Sequence, residues 1–309
     1  MEHVQVLIIG AGIAGISTAI WCKRLGLSYA VIEQHDRLGG QISHIHSRIW
    51  DLPPRVYKDG EELLKELLHT VQELDIPIRF QEKLNQIDTT GKQVITDKQS
   101  YRADYVVLAT GVRQVTLPVL DQVSSYVLGP YFSTTAQAGL LHQKDVMVIG
   151  GGDRALESVC NLSPHASHIW LLVRNGHFRA REEWVAKACL LPNVTILMHT
   201  EVENAIAMDD RCLVTFHTKS ASQQISVDWI MPRIGVTSQT NDIINLPQGD
   251  MGFIQVDEFQ RTVNPWMYSI GDSANGSLYS SLSLAIGQAM KTAKHISLCI
   301  KEAKDVHLS

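Results

Sequence analysis

The residues richest in chemistry stand at the start of the chain. Gly10, Gly12 and Gly15 follow an apolar, strand-type run, Val4–Ile9, and a helix-like segment follows them. A second apolar strand, Tyr29–Ile32, ends on Glu33. This is the spacing of a turn that cradles a pyrophosphate. Gly10 permits the tight turn, Gly12 lets backbone approach the phosphates, Ala14 follows inside the turn, and Gly15 lets the helix lie close on the strand. The helix N-terminus offers unpaired N–H groups and a partial positive charge. Glu33, 18 residues after Gly15, is placed to accept hydrogen bonds from an adenosine ribose. A glycine-rich turn that binds nothing is the competing explanation. The strand before, the helix after and the acid at the next strand's end weigh against it.

The same logic returns later in the chain. Asp145–Ile149 is an apolar strand, and Gly150, Gly151, Gly152, Asp153, Arg154 and Ala155 open a helix reaching about Leu162. Ala155 holds the third glycine position, where alanine is accepted. The next strand, Ile169–Val173, ends without an acid and is followed by Arg174 and Arg179. A 2′-phosphate wants cations there, whereas a free 2′-hydroxyl wants a carboxylate. The pair therefore points the second nucleotide toward NADP, with a solvated basic turn as the alternative. Arg154 either adds charge near a phosphate or is simply exposed.

Three shorter pieces complete the set. Gly39-Gly40-Gln41 suits backbone lying against a flat ring or a phosphate, or else a flexible loop. The buried strand Arg102–Thr110 runs into Thr110-Gly111, which suits the close of a nucleotide-binding domain and places a domain boundary near residue 113. A strand ending in Gly271-Asp272 can point a carboxylate at the polyol linker of a flavin.

The elements that must position these residues follow from periodicity. Glu61–Leu74 carries Leu64, Leu67, Leu68, Val71 and Leu74 on one face and reads as an amphipathic packing helix. Ile49–Pro54 is a proline-stiffened turn. Ile78–Phe80, Lys83–Asp88 and Lys92–Ile95 read as a small antiparallel insertion. Residues 112–141 show no clear period. A helix is expected at Arg181–Leu191, and strands at Val194–Leu197, Val202–Met208, Leu213–His217, Ile225–Met231 and Phe253–Val256. A long helix, Ser281–Glu302, has Leu284, Ala285, Ala289, Ala293 and Ile296 on one face. The fold class is α/β, with two Rossmann-like, three-layer ββα dinucleotide-binding domains.

Composition narrows the function classes. A chain of 309 residues has room for two such domains. The net charge of −5 argues against a general nucleic-acid binder. The five cysteines, Cys22, Cys160, Cys189, Cys212 and Cys299, are scattered and form no CxxC or zinc knuckle, which suits a reducing cytoplasm and no bound metal. The N-terminus lacks a basic leader and a small-residue cleavage site, so no signal peptide is expected. No apolar run of about 20 residues occurs, so no membrane span is expected.

In this order, the two glycine motifs, Gly39-Gly40-Gln41, Ala109-Thr110-Gly111 and Gly271-Asp272 resemble the thioredoxin-reductase-like flavoproteins over nearly the whole chain. The resemblance implies an FAD domain made of residues 1–113 and 242–309, with an NAD(P)H domain, 114–241, inserted in it. It implies FAD contacts from Gly10, Gly12, Gly15, Glu33, Gln41 and Asp272, with Ala14, Gly40, Thr110, Gly111 and Gly271 beside them. It implies contacts to NADPH (or NADH) from Gly150, Gly152, Ala155, Arg174 and Arg179, with Asp153 and Arg154 in the same turn. A homodimer is implied too.

This chain departs from the family pattern in three places. Where thioredoxin reductases carry CxxC, Ser133-Thr134-Thr135-Ala136 stands, so no dithiol can relay electrons. The family's NADP signature, His-Arg-Arg-x-x-x-Arg, is Val173-Arg174-Asn175 with Arg179 kept, and Asp242 with Thr237–Thr240 loosely matches Gly-x-x-Pro-Asn-Thr. Finally, Tyr131-Phe132 and Ile49-Trp50-Asp51 look similar to the ferredoxin–NADP reductase branch, which lacks CxxC. The C-terminal cover of that branch has little counterpart before Ser309. The expectation is an FAD-dependent NAD(P)H oxidoreductase that passes electrons to a redox protein or small acceptor without a catalytic acid–base pair. Two alternatives remain: a disulfide reductase with an atypical electron source or cysteine, and a flavin-binding protein with a degenerate nicotinamide site.

Overall fold

Apolar β-branched runs form the central strands, and glycine turns join them to helices. The computed structural model describes residues 1–129, 131–219, 221–240, 243–249 and 252–308, without the side chains of 304 and 306–308. In chain order the first elements are β1 (Glu2–Ile9), α1 (Ile13–Arg24), β2 (Tyr29–Ile32), α2 (Gly60–Glu73), β3 (Ile78–Arg79), β4 (Leu84–Asp88), β5 (Gln93–Thr96), β6 (Ser100–Leu108) and β7 (Val112–Gln114). Next come β8 (Asp145–Ile149), α3 (Asp153–Leu162), β9 (His168–Val173), α4 (Glu182–Cys189), β10 (Val194–Met198), β11 (Glu201–Met208), β12 (Arg211–His217), β13 (Ser222–Val227) and β14 (Trp229–Pro232). The chain closes with β15 (Val236–Ser238), β16 (Met267–Ser269), α5 (Asp272–Asn275) and α6 (Leu282–Leu308).

Two compact units result: Met1–Arg113 with Val236–Ser309, and Gln114–Gly235. The return lies at 235/236, six residues before the 241/242 expected from sequence. Asp242 itself lies outside the described residues.

The first unit is built on a parallel sheet, β3-β2-β1-β6, whose far edge is shared. The start of β6 pairs antiparallel with β5, which pairs with β4, while its end pairs parallel with β16 through Val106↔Met267. One face packs on α1, α2 and α6, burying Ile16, Ala19, Leu63, Leu67, Val71, Ala289 and Ala293. The other face buries Leu7, Tyr101, Leu108, Trp266 and Met267. β3 corrects an expectation here. It joins the parallel sheet beside β2 and is not part of the antiparallel meander. α2 corrects another: its buried stripe is Leu63, Leu67 and Val71, and Leu68 is exposed. Asp59 caps that helix by accepting from Glu62 N at 3.0 Å. Phe253–Val256 forms no strand, only an isolated bridge of Ile254 to Gln248.

The second unit repeats the plan with a parallel sheet, β10-β9-β8-β14, and an antiparallel one, β11-β12-β13. The expected single strand Ile225–Met231 is two strands in different sheets. Asp228 divides them: its backbone N–H donates to Asp145 O at 2.9 Å, and its carboxylate accepts from Asp145 N at 2.8 Å. Residues 112–141, without period in sequence, hold β7 and two 3₁₀ turns, Pro118–Tyr126 and Ala138–Leu141. Among the described residues no helix is long and apolar enough to cross a membrane.

Candidate functional site

Each unit has a glycine turn at the carboxyl end of its first parallel strand, where ligands of open α/β sheets bind. In the first unit Gly10 N donates to Ile32 O at 2.8 Å, and its φ of +108° is one that only glycine adopts freely. A Cβ on Gly10 would stand 2.5 Å from the Ala109 oxygen, and one on Gly15 would overlap the Gly10 oxygen. Nothing lies within 4 Å of the corresponding point on Gly12, so the cradle is open on that side. No side chain caps α1 and no acid stands in its first turn. Its N-terminal amides are therefore left for an anion.

Glu33 is buried at 8% exposure. Its two carboxylate oxygens accept from Ala11 N at 2.8 Å and His35 N at 2.9 Å. The carboxylate thus fixes the glycine turn, and further lone pairs on each oxygen are free for a ribose. The Gly40 turn is brought alongside. A Cβ on Gly40 would be 3.7 Å from Gly12 Cα, and Gly39 N donates to Ala11 O at 2.9 Å. Gln41 is exposed at its start. Gly271 closes the set, since a Cβ there would meet Ala14 Cβ at 3.1 Å. Beside it, the Asp272 carboxyl accepts from Ser280 Oγ at 2.8 Å, and burial pushes its pKa above the ordinary value.

Sequence reasoning missed two members of this cluster. Gln288 of α6 accepts from Gly271 N at 2.9 Å and donates to Asn275 Oδ1 at 2.6 Å. Its only sequence signal was a polar side chain on the small, apolar face of α6. The Asn275 Nδ2 and Thr110 Oγ1 atoms are buried with no partner among the described residues. Buried polar atoms are rarely left this way, and a bound group would satisfy them.

The second turn is built alike. Gly150 N donates to Leu172 O at 2.9 Å, a Cβ on Gly150 would overlap the Arg233 oxygen, and Gly152 faces open space. Ala155 is fully buried, as its packing position requires. The basic loop after β9 folds over the turn: Arg179 N donates to Gly151 O at 2.8 Å. Arg174, Arg179 and Arg154 are exposed. Asp153 is committed elsewhere, accepting from Arg181 N at 2.7 Å and Arg181 Nε at 3.1 Å. It anchors the basic loop and does not point a free carboxylate at the turn.

All five cysteines are free thiols. Burial pushes the Cys22 thiol up to about 12 and raises Cys160 and Cys212, so these three are poor nucleophiles. Ser133–Gln137, where the family's dithiol would stand, is a hydroxyl-capped turn in which Ala136 N donates to Ser133 Oγ at 3.1 Å. Among the described residues no cluster of metal-ligand type occurs.

A family model described as pyridine nucleotide-disulphide oxidoreductase matches residues 4–295. An NADH dehydrogenase of Ferdinandcohnia aciditolerans is 26% identical over 94% of this chain, which spans only 56% of that protein's length. A ferredoxin–NADP reductase of Thermus thermophilus is 26% identical, covering 99% of this chain and 96% of its own. The crystal structure of Lactococcus lactis thioredoxin reductase (FR conformation) superposes with a TM-score of 0.79 at 19% identity, over 97% of this chain and 99% of that one. That last likeness is one of fold: two Rossmann-like dinucleotide-binding domains.

Proposed function

Because the chain belongs to the pyridine nucleotide-disulphide oxidoreductase family, we propose that it is an FAD-dependent NAD(P)H oxidoreductase working without a protein dithiol. It hands electrons to a redox protein or a small acceptor, in the manner of a ferredoxin–NADP reductase. One observation carries this reading: two open glycine cradles coexist with five cysteines that stand singly.

The residues of the first cradle fit a flavin dinucleotide. Gly10, Gly12, Ala14 and Gly15 would take the pyrophosphate and Glu33 the ribose. Gly40, Gln41, Thr110, Gly111, Gly271 and Asp272 would take the polyol and ring. Thr110 Oγ1 and Asn275 Nδ2, without a partner among the described residues, are a hydroxyl and an amide of the kind a flavin's polar edge would satisfy. At the second cradle Gly150, Gly152, Arg154 and Ala155 would hold the pyridine nucleotide's pyrophosphate, with Asp153 steadying the loop. Arg174 and Arg179 would favour a 2′-phosphate, hence NADPH over NADH.

Bound flavin supplies two-electron acceptance and one- or two-electron release. The chain's task is to bind, orient and exclude water, so no acid–base residue is assigned. Single thiols fit a reducing compartment such as the cytoplasm. A homodimer is proposed from the family resemblance alone. The deciding experiment is anaerobic titration of the yellow, flavin-loaded protein with NADPH and NADH. Bleaching of the flavin band by NADPH at lower concentration than NADH is expected. A flavin band that neither nucleotide bleaches would end this reading.

A further inference from the structure

We propose that Arg233 is a positioning residue for the pyridine nucleotide: with Arg154 it forms a two-cation base under the second glycine turn that holds the pyrophosphate. The inference rests on the proposed function and names a residue outside the family's glycine and arginine motifs.

The molecule contains its own control for this position. The two glycine turns are built by matching hydrogen bonds. Ala109 N donates to Ile9 O at 2.9 Å, and Arg233 N donates to Ile149 O at 2.7 Å. The carbonyl oxygens of Ala109 and Arg233 are the atoms that forbid a side chain on Gly10 and Gly150. One turn into each following helix, Thr18 Oγ1 donates to Ala14 O at 2.9 Å and Ser158 Oγ to Arg154 O at 2.6 Å. Ala109 and Arg233 are therefore equivalent. The fold asks for no more than a methyl group there, yet the second copy carries a guanidinium.

Arg233 is buried, at 9% exposure. Among the described residues its donors reach only neutral acceptors: Ser158 Oγ at 3.3 Å, Phe132 O at 3.0 Å and Pro232 O at 3.3 Å. Among the described residues no carboxylate forms an ion pair with it. Glu157, exposed on α3, is near enough to favour its charge, while Arg154 on the first turn of α3 opposes it. Burial and Arg154 lower its pKa to about 10, so it stays charged at neutral pH. A buried cation with no ion-pair partner among the described residues, beside a second cation, is costly in the free protein. Arg154 stands in the first turn of α3, whose N-terminus favours anions and has no side-chain cap, and the Arg233 guanidinium lies on Ser158 one turn further along the same helix. A pyrophosphate diester, with two negative charges, offsets all three.

The test uses the flavin-loaded full chain and calorimetric dissociation constants for three probes: NADP⁺, ADP and 2′-AMP. ADP carries the pyrophosphate without nicotinamide, and 2′-AMP carries a 2′-phosphate without pyrophosphate. In R233A, which installs the residue of the equivalent position, NADP⁺ and ADP should bind about tenfold more weakly, and 2′-AMP within about twofold of wild type. R233K should recover most of the loss, and the salt dependence of ADP binding should flatten in R233A. Unchanged NADP⁺ and ADP affinities in R233A would overturn the inference, as would equal weakening of 2′-AMP, which marks general damage. If R233A fails to fold, the charge-removing variants R233M and R154M decide by the same ADP against 2′-AMP contrast. A wild-type protein that binds neither NADP⁺ nor NADH would instead sink the functional reading itself.

Discussion

Glu33 does two things at once, and this makes it the most informative single side chain. It accepts hydrogen bonds from the backbone of Ala11 and His35 inside the core of the turn. Replacing it by alanine leaves the buried Ala11 N–H unsatisfied, at a cost of about 1–3 kcal/mol. E33A should therefore melt lower even without flavin, and should purify with less flavin per chain. Both are read from one sample by calorimetry and absorbance. A variant that melts lower yet keeps full flavin would confine Glu33 to structure. Asp272 gives the opposite signature. Burial raises its pKa, so its charged form is disfavoured by folding. The sign follows: the penalty is absent below the unfolded carboxyl value of ~4 and complete above the raised folded value, so it grows as pH rises through that window. Flavin-free D272N should melt above wild type at pH 7, and the gap should close near pH 3.5. A gap unchanged across that range would show that the carboxyl is not penalised.

At the scale of elements, Asp228 is the clearest case of a residue that sets topology. Its backbone and carboxylate both clasp Asp145, the first residue of β8, and Lys144 Nζ lies 3.3 Å from the same carboxylate. D228A should cost about 1–2 kcal/mol through the Asp145 N–H it abandons. Thermal melting and hydrogen exchange of β13 and β14 check this, and loss confined to those strands is expected. The same residue explains why β13 and β14 read as one strand in sequence. A continuous apolar run carries no mark of which sheet each half joins, and the break depends on a partner over 80 positions away. β3 was misplaced for a similar reason: two residues are too short for a period, and only their pairing with β2 makes them parallel. The glycine turns, β1, β2, β8 and α3 were legible because their spacing is a local rule of backbone approach and helix start. Gln288 and Arg233 were not, since nothing local tells that either side chain reaches a turn far back in the chain.

For the whole molecule, the absence of any paired thiol leads to a direct expectation. Electron delivery should not pass through sulfur, so iodoacetamide treatment should leave NAD(P)H-driven acceptor reduction within about twofold. Cys189, the exposed thiol, and the half-buried Cys160 and Cys299 are the groups that reagent reaches first. Turnover before and after alkylation, with mass spectrometry of the labelled sites, decides it. Loss of activity that tracks labelling of one cysteine would restore a disulfide-type mechanism.

The division into an outer unit made of two chain segments and an inner unit made of one also bears on how the protein is born. On a ribosome, Gln114–Gly235 emerges as an uninterrupted stretch and has all its strands before synthesis ends. The outer unit must wait: the edge of β6 stays bare until β16 is made, and the apolar side of α1 until α6 is made. A nascent chain stopped at residue 260 should therefore hold a protease-resistant inner unit and an open, chaperone-dependent outer one.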